Sequence, residues 1–206
     1  MLKKFSLPNN NWAILVVGVA GVGKTVFGRK LAEKLAANFI DLPAFILERK
    51  LYESYDVEAG DYIIDLRRIS LTLGSLIKNK RSVISSIYVF KPRSVIVPLI
   101  LVLRIRPDIL VERLKERCYP ESKIAENVAA EIIDKPLHDA VVKYGEDKVV
   151  QIDLSNRDVD ELASRIALEI VSGDPRRMNM KIDWISELEK ISKLSEILEF
   201  ISKTQK

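Results

Sequence analysis

Short apolar runs alternate along the chain with longer segments in which apolar residues recur every three or four positions. Runs of this length are typical of buried strands, and the recurring spacing is typical of amphipathic helices. Five runs are predicted to be strands, at residues 12–17, 39–41, 82–85, 96–103 and 149–153. Strands that alternate with helices at this spacing indicate an α/β fold, in which a five-stranded parallel sheet carries helices on both faces.

The predicted helices have recognisable ends. Asp65 can cap the helix that follows it, and Pro107 stands where a helix can begin. Pro136 is expected to kink or stop the helix before it, because proline lacks the N–H group that a helix interior needs. The predicted helices are residues 24–37 and 44–55, those that start at 65, 107 and about 121, and residues 158–172.

The break Gly173-Asp174-Pro175 is the clearest boundary in the chain. We predict a main domain at residues 1–172 and, at 173–206, a linker followed by a C-terminal amphipathic helix. The helix itself is expected at residues 183–203, where apolar residues recur at helical spacing. Two interpretations of it remain open: it packs on the main domain, or it is an arm that docks a partner.

The composition narrows the classes of function. The chain has 206 residues, of which 33 are Lys or Arg, 29 are Asp or Glu, one is Cys and one is His. A net charge of +4 is low for a dedicated nucleic-acid binder. One cysteine cannot form an intramolecular disulfide, and one histidine makes zinc sites and Ser-His-Asp triads poor candidates. The longest apolar run, residues 95–103, is about half a membrane span, so we expect a cytoplasmic protein without membrane contact.

Residues 18–25 read Gly-Val-Ala-Gly-Val-Gly-Lys-Thr and match the phosphate-loop motif G-x-x-x-x-G-K-[ST]. Its glycines let backbone N–H groups surround phosphate oxygens, next to the N-terminus of the following helix. Lys24 is expected to reach the β- and γ-phosphates, and the Thr25 hydroxyl to bind Mg²⁺. We therefore predict a P-loop NTPase that binds ATP and Mg²⁺. The predicted nucleotide-binding residues of this segment are Gly18, Val19, Ala20, Gly21, Val22, Gly23, Lys24, Thr25 and Val26.

The rest of the chain favours one class of P-loop protein. It lacks the Asn-Lys-x-Asp motif with which GTPases read guanine, and its small size favours a nucleoside monophosphate kinase. In that plan two arms close over ATP and an acceptor. We place a short arm that binds the nucleoside monophosphate at about residues 43–60 and a lid at about residues 117–136.

The order and spacing of several shorter segments resemble the adenylate kinase isoenzyme six family. These small archaeal and eukaryotic proteins are described as broad adenylate kinases and as ATPases that assist maturation of the small ribosomal subunit. The resemblance covers residues 12–172. It is carried by residues 18–25, Glu48 with 51–55, 64–65 with Arg68, 102–104, 112–117, Lys123, 126–128, 131–132 and 154–157.

The resemblance implies roles for individual residues. Arg117, in the lid, would contact the ATP phosphates and base, and would join Lys24 as a catalytic residue. Asn156, in the loop after the last strand, would lie beside the adenine. The implied reaction is transfer of the γ-phosphate of ATP to AMP or a similar monophosphate, with ATP hydrolysis as a second activity.

The chain departs from the family pattern at two places. The family usually has Asp-x-His after the third strand, where the Asp organises Mg²⁺ through water and the His is tied to ATP hydrolysis. Here residues 83–88 read Val-Ile-Ser-Ser-Ile-Tyr, and His138 lies elsewhere. We therefore expect a weaker metal site, for which Asp41, at the end of the second strand, could be a partial substitute. Leu47 stands where the family has the arginine that grips a monophosphate.

Two functions therefore remain open, and we favour the kinase because the phosphate loop and Arg117 are intact. The alternative is an ATP-binding assembly factor of low activity for the small ribosomal subunit, with a ribosomal protein or rRNA as partner. A kinase for a non-nucleotide acceptor is a further interpretation, because the apolar residues 43–47 would suit a less charged substrate. One basic cluster could face RNA or be only solvated: Lys78, Lys80, Arg81, Lys91 and Arg93, with Tyr88 and Phe90 between them.

Overall fold

A computed structural model describes residues 5–57 and 60–204. In chain order its strands are β1 Trp12–Val17, β2 Asn38–Asp41, β3 Tyr52–Asp56, β4 Asp61–Ile64, β5 Arg81–Ser86, β6 Ile100–Arg104 and β7 Val149–Asp153. Five of them form a parallel sheet in the order β2-β5-β1-β6-β7. The predicted five-stranded parallel sheet is thereby confirmed.

Helices connect and cover these strands. They are α1 Lys24–Lys34, α2 Leu42–Glu48, α3 Leu66–Ile77, α4 Pro107–Glu116, α5 Glu121–Ile132, α6 Lys135–Tyr144, α7 Val159–Ser172, α8 Trp184–Lys190 and α9 Leu194–Thr204. The Asp65 side chain accepts a hydrogen bond from the Arg67 N–H and caps α3, as predicted. Pro107 begins α4, and a helix ends before Pro136, so both of those predictions are confirmed.

The apolar core lies on both faces of the sheet. Successive side chains of β1 alternate between the two faces, because a strand has a period of two. Ile14 and Val16 pack in one apolar cluster, and Ala13, Leu15 and Val17 pack in the other. All six residues of β1 are buried, which explains why this strand reads as a continuous apolar run.

The segment predicted as a helix at residues 44–55 is different in the structure. The helix α2 ends at Glu48, and Lys50 takes a left-handed backbone conformation with φ 51°. The chain then forms an antiparallel hairpin of β3 and β4, which lies outside the main sheet. The helical prediction was wrong here because Leu51 continues the apolar spacing of α2, although the helix has already ended.

Two other boundaries are corrected. The fourth strand of the sheet begins at Ile100 rather than at residue 96, and Ile96 makes only an isolated bridge to Trp12. The first helix ends at Lys34, and Ala36 follows in a left-handed conformation with φ 48°.

The C-terminal segment is two helices where the sequence predicts one. Ser192, between α8 and α9, has a left-handed φ of 56° and interrupts the helix. The side chains of Trp184, Leu188 and Ile197 are buried, and the last two belong to the main apolar cluster. The segment therefore packs on the main domain.

None of the helices in the described part of the chain has the length and apolar composition that crossing a membrane requires.

Candidate nucleotide-binding site

The carboxyl ends of the parallel strands meet at one edge of the sheet, where ligands bind in open α/β folds. The phosphate loop follows β1 at this edge. Asp41 ends β2 opposite Ser85 of β5, and Arg104 ends β6 opposite Asp153 of β7. The sheet register therefore brings polar residues from distant parts of the sequence next to the phosphate loop.

At two positions of the phosphate loop there is no room for a Cβ atom, so only glycine fits. A Cβ on Gly18 would lie 2.6 Å from the Leu103 carbonyl oxygen, and one on Gly21 would lie 2.7 Å from Leu114 Cδ2. Both residues also have positive φ, 152° and 82°. Contacts with β6 and α4 thus hold the loop in a conformation that other residues disfavour.

Lys24 begins α1 and is buried. Its Nζ donates a hydrogen bond of 2.7 Å to the Val19 carbonyl oxygen, across the phosphate loop. Burial lowers the pKa of Lys24 to about 8, although the negative charges of Asp41 and Glu131 oppose this shift. An anion bound in the loop would provide the partner charge that this buried cation lacks.

Thr25, Asp41 and Ser85 form a hydrogen-bonded group beside the loop. The Thr25 hydroxyl donates to Asp41 Oδ2 at 2.6 Å, and the Ser85 hydroxyl donates to the same oxygen at 3.3 Å. The other oxygen, Asp41 Oδ1, accepts from the Ala44 N–H at 3.3 Å and caps α2. One carboxylate thus connects the phosphate loop, the sheet and the first helix of the predicted arm.

These oxygens fit a magnesium ion that is held mainly by phosphates. No group of three or more His, Cys, Asp or Glu side chains suited to a metal occurs among residues 5–57 and 60–204. Mg²⁺ in nucleotide sites usually needs only one or two protein oxygens besides phosphate and water. Thr25 and Asp41 offer such oxygens at the phosphate loop.

Two arginines of α4 lie near the loop. Arg117 follows the last residue of α4 and is exposed. Its positive charge contributes to lowering the pKa of Lys24, after the larger effect of burial. Arg113, one helical turn earlier, donates from Nη1 to the Val22 carbonyl oxygen at 3.4 Å. Arg113 was not predicted as a site residue, although its spacing of four residues from Arg117 places both on one helix face.

The helix α5, within the predicted lid, also contacts the loop. Asn127 Oδ1 accepts a hydrogen bond of 2.9 Å from the Ala20 N–H, and its Nδ2 donates to the Lys123 carbonyl oxygen at 2.7 Å. Asn127 belongs to a segment that carries the family resemblance, but the sequence analysis gave it no role. Ile124 and Val128, on the same helix, are buried in the core, so α5 lies directly against the main domain.

Asn156 lies in the loop after β7, exposed and with a left-handed φ of 52°. The preceding Leu154 reaches the phosphate loop, since a Cβ on Gly23 would lie 3.4 Å from its Cδ1. Ser155 Oγ accepts from the Arg106 N–H at 2.7 Å and joins this loop to the start of α4. Of the remaining predicted residues, Val26 is on α1 and is 52% exposed.

The hairpin of β3 and β4 carries a cluster of three tyrosine rings. The rings of Tyr52 and Tyr55 lie against Tyr62, with centroids 4.7 and 5.0 Å apart. A hydrogen bond to Glu126 raises the pKa of Lys123 on α5, and the charge of Asp61 on the hairpin adds to the shift. The charge of Asp61 on the hairpin thus acts on Lys123 of α5.

Several other residues lie apart from the loop or are engaged elsewhere. His138 is exposed on α6. Ser86 Oγ is hydrogen-bonded to the backbone N–H and carbonyl oxygen of Tyr88, within its own turn. Phe90, one of the two aromatic residues between the basic residues that could face RNA or be only solvated, is 1% exposed and cannot stack on a base. Leu47 is 46% exposed on α2, within the predicted arm.

Known proteins are similar to this chain over most of its length. A family model described as an AAA domain matches residues 14–134, more than half of the chain. A "Putative adenylate kinase" of Saccharolobus solfataricus is 34% identical over 190 residues, which are 92% of this chain and 96% of the relative. A "Putative adenylate kinase" of Pyrococcus furiosus is 33% identical over 180 residues, 86% of this chain and 94% of that protein.

Solved structures of kinases have a similar chain path at low identity. A shikimate kinase from Acinetobacter baumannii in complex with shikimate has a TM-score of 0.48 and 19% identity, over 79% of this chain and 94% of that chain. The family assignment rests on the sequence relatives.

Proposed function

The chain belongs to the AAA domain family and to the same family as the archaeal relatives named putative adenylate kinase, and from that premise we propose that it is an ATP-dependent nucleotide kinase. It transfers the γ-phosphate of ATP to AMP or a similar nucleoside monophosphate. The observation that carries this proposal is the phosphate loop, with Lys24 buried across it and Thr25 hydrogen-bonded beside it.

The loop would bind ATP through charge and backbone geometry. Its N–H groups and the N-terminus of α1 attract the phosphates, and Lys24 would exchange its bond to Val19 for a phosphate oxygen. Phosphate binding would also raise the pKa of Lys24 from about 8, because the anion favours the charged amine. The same cation then stabilises negative charge that moves onto the β–γ bridge during transfer.

The arginines of α4 would complete the ATP site. Arg117 lies exposed just after α4, and a guanidinium can donate two hydrogen bonds to phosphate and stack on a base. Arg113 is anchored to the loop at Val22 and would hold α4 in place. Asn156, in the loop after β7, is the proposed neighbour of the adenine.

Thr25 would hold Mg²⁺ through its hydroxyl oxygen. When bound there, Mg²⁺ would neutralise part of the phosphate charge, which favours transfer. The oxygen-only environment of Thr25 and Asp41 suits this hard cation.

The acceptor site lies, in this proposal, between the aromatic hairpin and α5, with the arm at about residues 43–60 and the lid at about 117–136. The tyrosines of the hairpin suit a planar base, which stacks on aromatic rings. Leu47 supplies no charge for the acceptor phosphate, so another cation must do so. Arg49, Arg68 and Arg93 are the candidates from the sequence.

A second function is favoured by one specific observation. No side chain in the turn after β5 carries a negative charge, and the Ser86 hydroxyl is bonded within that turn. A protein that binds ATP firmly but turns it over slowly could serve as an assembly factor for the small ribosomal subunit. Its partner would then be a ribosomal protein or rRNA.

The test is ADP formation from Mg-ATP, with and without AMP, for the wild type, Lys24→Ala and Lys30→Ala. Lys30 is a matched control because it lies on the same helix and forms a surface ion pair with Asp160. We expect turnover that requires AMP, is lost in Lys24→Ala and is kept in Lys30→Ala. Firm ATP binding without turnover for any nucleoside monophosphate would contradict the kinase and favour the assembly factor.

A further inference from the structure

The turn after β5 leaves the metal site without the carboxylate that the family pattern places there. Ser85 and Ser86 occupy the end of this strand, and neither can provide a negative charge. A hydroxyl alone binds a divalent cation less firmly than an arrangement that includes a carboxylate. If the proposed kinase binds Mg-ATP, the charge must come from another strand at the same edge.

We infer that Asp41, at the end of β2, is the residue that organises the metal site of this chain. The inference rests on the proposed function, since it concerns the Mg²⁺ that accompanies ATP. Asp41 is in register with Ser85, so its carboxylate occupies the edge of the sheet directly beside the turn that lacks one. The missing charge of β5 is thus supplied by its neighbour.

The hydrogen bonds explain how Asp41 acts. A hydroxyl has one proton to donate and two lone pairs. Because Thr25 donates its proton to Asp41 Oδ2 at 2.6 Å, its lone pairs remain free for a cation. Ser85 donates to the same carboxylate oxygen at 3.3 Å and keeps it in position. Asp41 is therefore a positioning residue that acts through Thr25 and adds negative charge beside the metal.

Glu131, a second acid whose charge acts on Lys24, is engaged through its Oε1 oxygen. This oxygen accepts hydrogen bonds from Arg104, the Ile105 N–H and Trp184. It is fully buried, whereas Asp41 is partly exposed at the ligand edge. A solvated ion can reach Asp41 without breaking a buried ion pair.

The substitution Asp41→Asn separates the charge from the structural role. Asparagine caps helices about as well as aspartate, so the bond from the Ala44 N–H to residue 41 is expected to persist. Asp183→Asn is the matched control, because Asp183 caps α8 in the C-terminal segment with the same kind of hydrogen bond. Both variants remove one carboxylate from a helix cap, but only one of them lies beside the phosphate loop.

The experiment measures binding rather than turnover. The affinity for a non-hydrolysable ATP analogue is measured by calorimetry with and without Mg²⁺, and the affinity of the analogue-loaded protein for Mn²⁺ is measured by electron paramagnetic resonance. We expect Asp41→Asn to bind Mn²⁺ roughly 10- to 100-fold more weakly, with unchanged or tighter binding of the metal-free analogue. Asp183→Asn should match the wild type in both measurements.

Each other outcome has a distinct meaning. Wild-type Mn²⁺ affinity in Asp41→Asn would overturn the inference and leave the proposed kinase standing. Equal loss of analogue affinity with and without metal would also overturn it, because Asp41 would then support the loop rather than the metal. A wild-type protein that binds no analogue would refute the proposed function itself, and the inference with it.

Discussion

Lys24 shows how one residue can serve binding at the expense of stability. Its ammonium group is buried at the phosphate loop and has a carbonyl oxygen as its hydrogen-bond partner, so burial holds its pKa at about 8, below the ordinary 10.5. The unfolded chain therefore binds this proton more tightly than the folded protein does. Below pH 8 the buried charge lowers the free energy of unfolding by its full amount. This destabilisation disappears as the pH rises from about 8 towards 10.5.

We predict that Lys24→Met stabilises the nucleotide-free protein. The pKa difference corresponds to about 3 kcal/mol, and loss of the bond to Val19 offsets about 1 kcal/mol of it. The free energy of unfolding at pH 7, from urea titrations, should therefore rise by about 2 kcal/mol and ATP affinity should be lost.

The pH dependence identifies the cause of that gain. At pH 9.5 Lys24 is largely neutral in the folded protein, so the gain should shrink below about 1 kcal/mol. Lys30→Met is the control, because Lys30 is partly exposed and paired with Asp160, and the substitution should not stabilise the protein at either pH. A gain in Lys24→Met of equal size at both pH values would contradict this account.

The sequence identified the residues of the phosphate loop because their spacing is local. It did not identify Asn127, whose side chain is hydrogen-bonded to Ala20 across 107 positions of the chain. The sequence also could not show whether Asp41 replaces the missing carboxylate. That depends on the register of β2 and β5, which places Asp41 beside Ser85. Contacts of this kind exist only once the sheet has formed.

At the scale of elements, the strands and most helix ends were predictable and the arm was not. A strand buried on both faces gives a continuous apolar run, and a capped helix carries its own start signal. The hairpin of β3 and β4 has neither, since its residues are largely exposed and its pairing partner lies further along the chain. The single break at Ser192 was hidden because apolar spacing continues through both C-terminal helices.

The helix α8 is connected to the predicted lid by one buried hydrogen bond. Trp184 Nε1 donates to Glu131 Oε1 on α5 at 2.8 Å, and Glu131 is paired with Arg104 at 2.7 Å. We predict that Trp184→Phe lowers the free energy of unfolding by about 2 kcal/mol, because a hydrogen bond to a buried charge is removed while most of the ring is kept. Urea unfolding followed by circular dichroism measures the change.

A neighbouring substitution serves as the control for Trp184→Phe. Ile185 lies on the same helix and is 48% exposed, so Ile185→Ala should change the stability by less than about 0.5 kcal/mol. Equal stability of Trp184→Phe and wild type would mean that Glu131 does not depend on the C-terminal segment.

At the scale of the whole molecule, the sequence indicates a sheet covered by helices but not the order of the strands in the sheet. Parallel strands and covering helices follow from the apolar pattern, whereas the order β2-β5-β1-β6-β7 depends on which crossovers lie on which face. The boundary at Gly173 was predicted from a local break. The residues after it nevertheless continue the main core, through Leu188 and Ile197.

The linker also covers an edge of the sheet. Gln151 of the edge strand β7 donates its N–H to Asn179 Oδ1 at 2.7 Å and accepts from the Met180 N–H at 3.1 Å. An exposed edge strand invites pairing with other chains. The segment after residue 173 therefore has two structural tasks, which are to fill one side of the core and to protect β7.

We predict that a chain ending at Ser172 does not fold stably, although residues 1–172 contain the whole sheet. Trp184, Leu188 and Ile197 are buried, and burial of three such side chains contributes roughly 5–9 kcal/mol. This is comparable to the total stability of a typical domain, about 5–15 kcal/mol. Urea unfolding should show a lost or strongly shifted transition, and light scattering should show association through β7.

Leu198→Ala in the full chain, at a side chain that is 48% exposed, should leave both measurements unchanged. A cooperative, monomeric truncated chain of wild-type stability would show instead that the C-terminal helices are an independent arm.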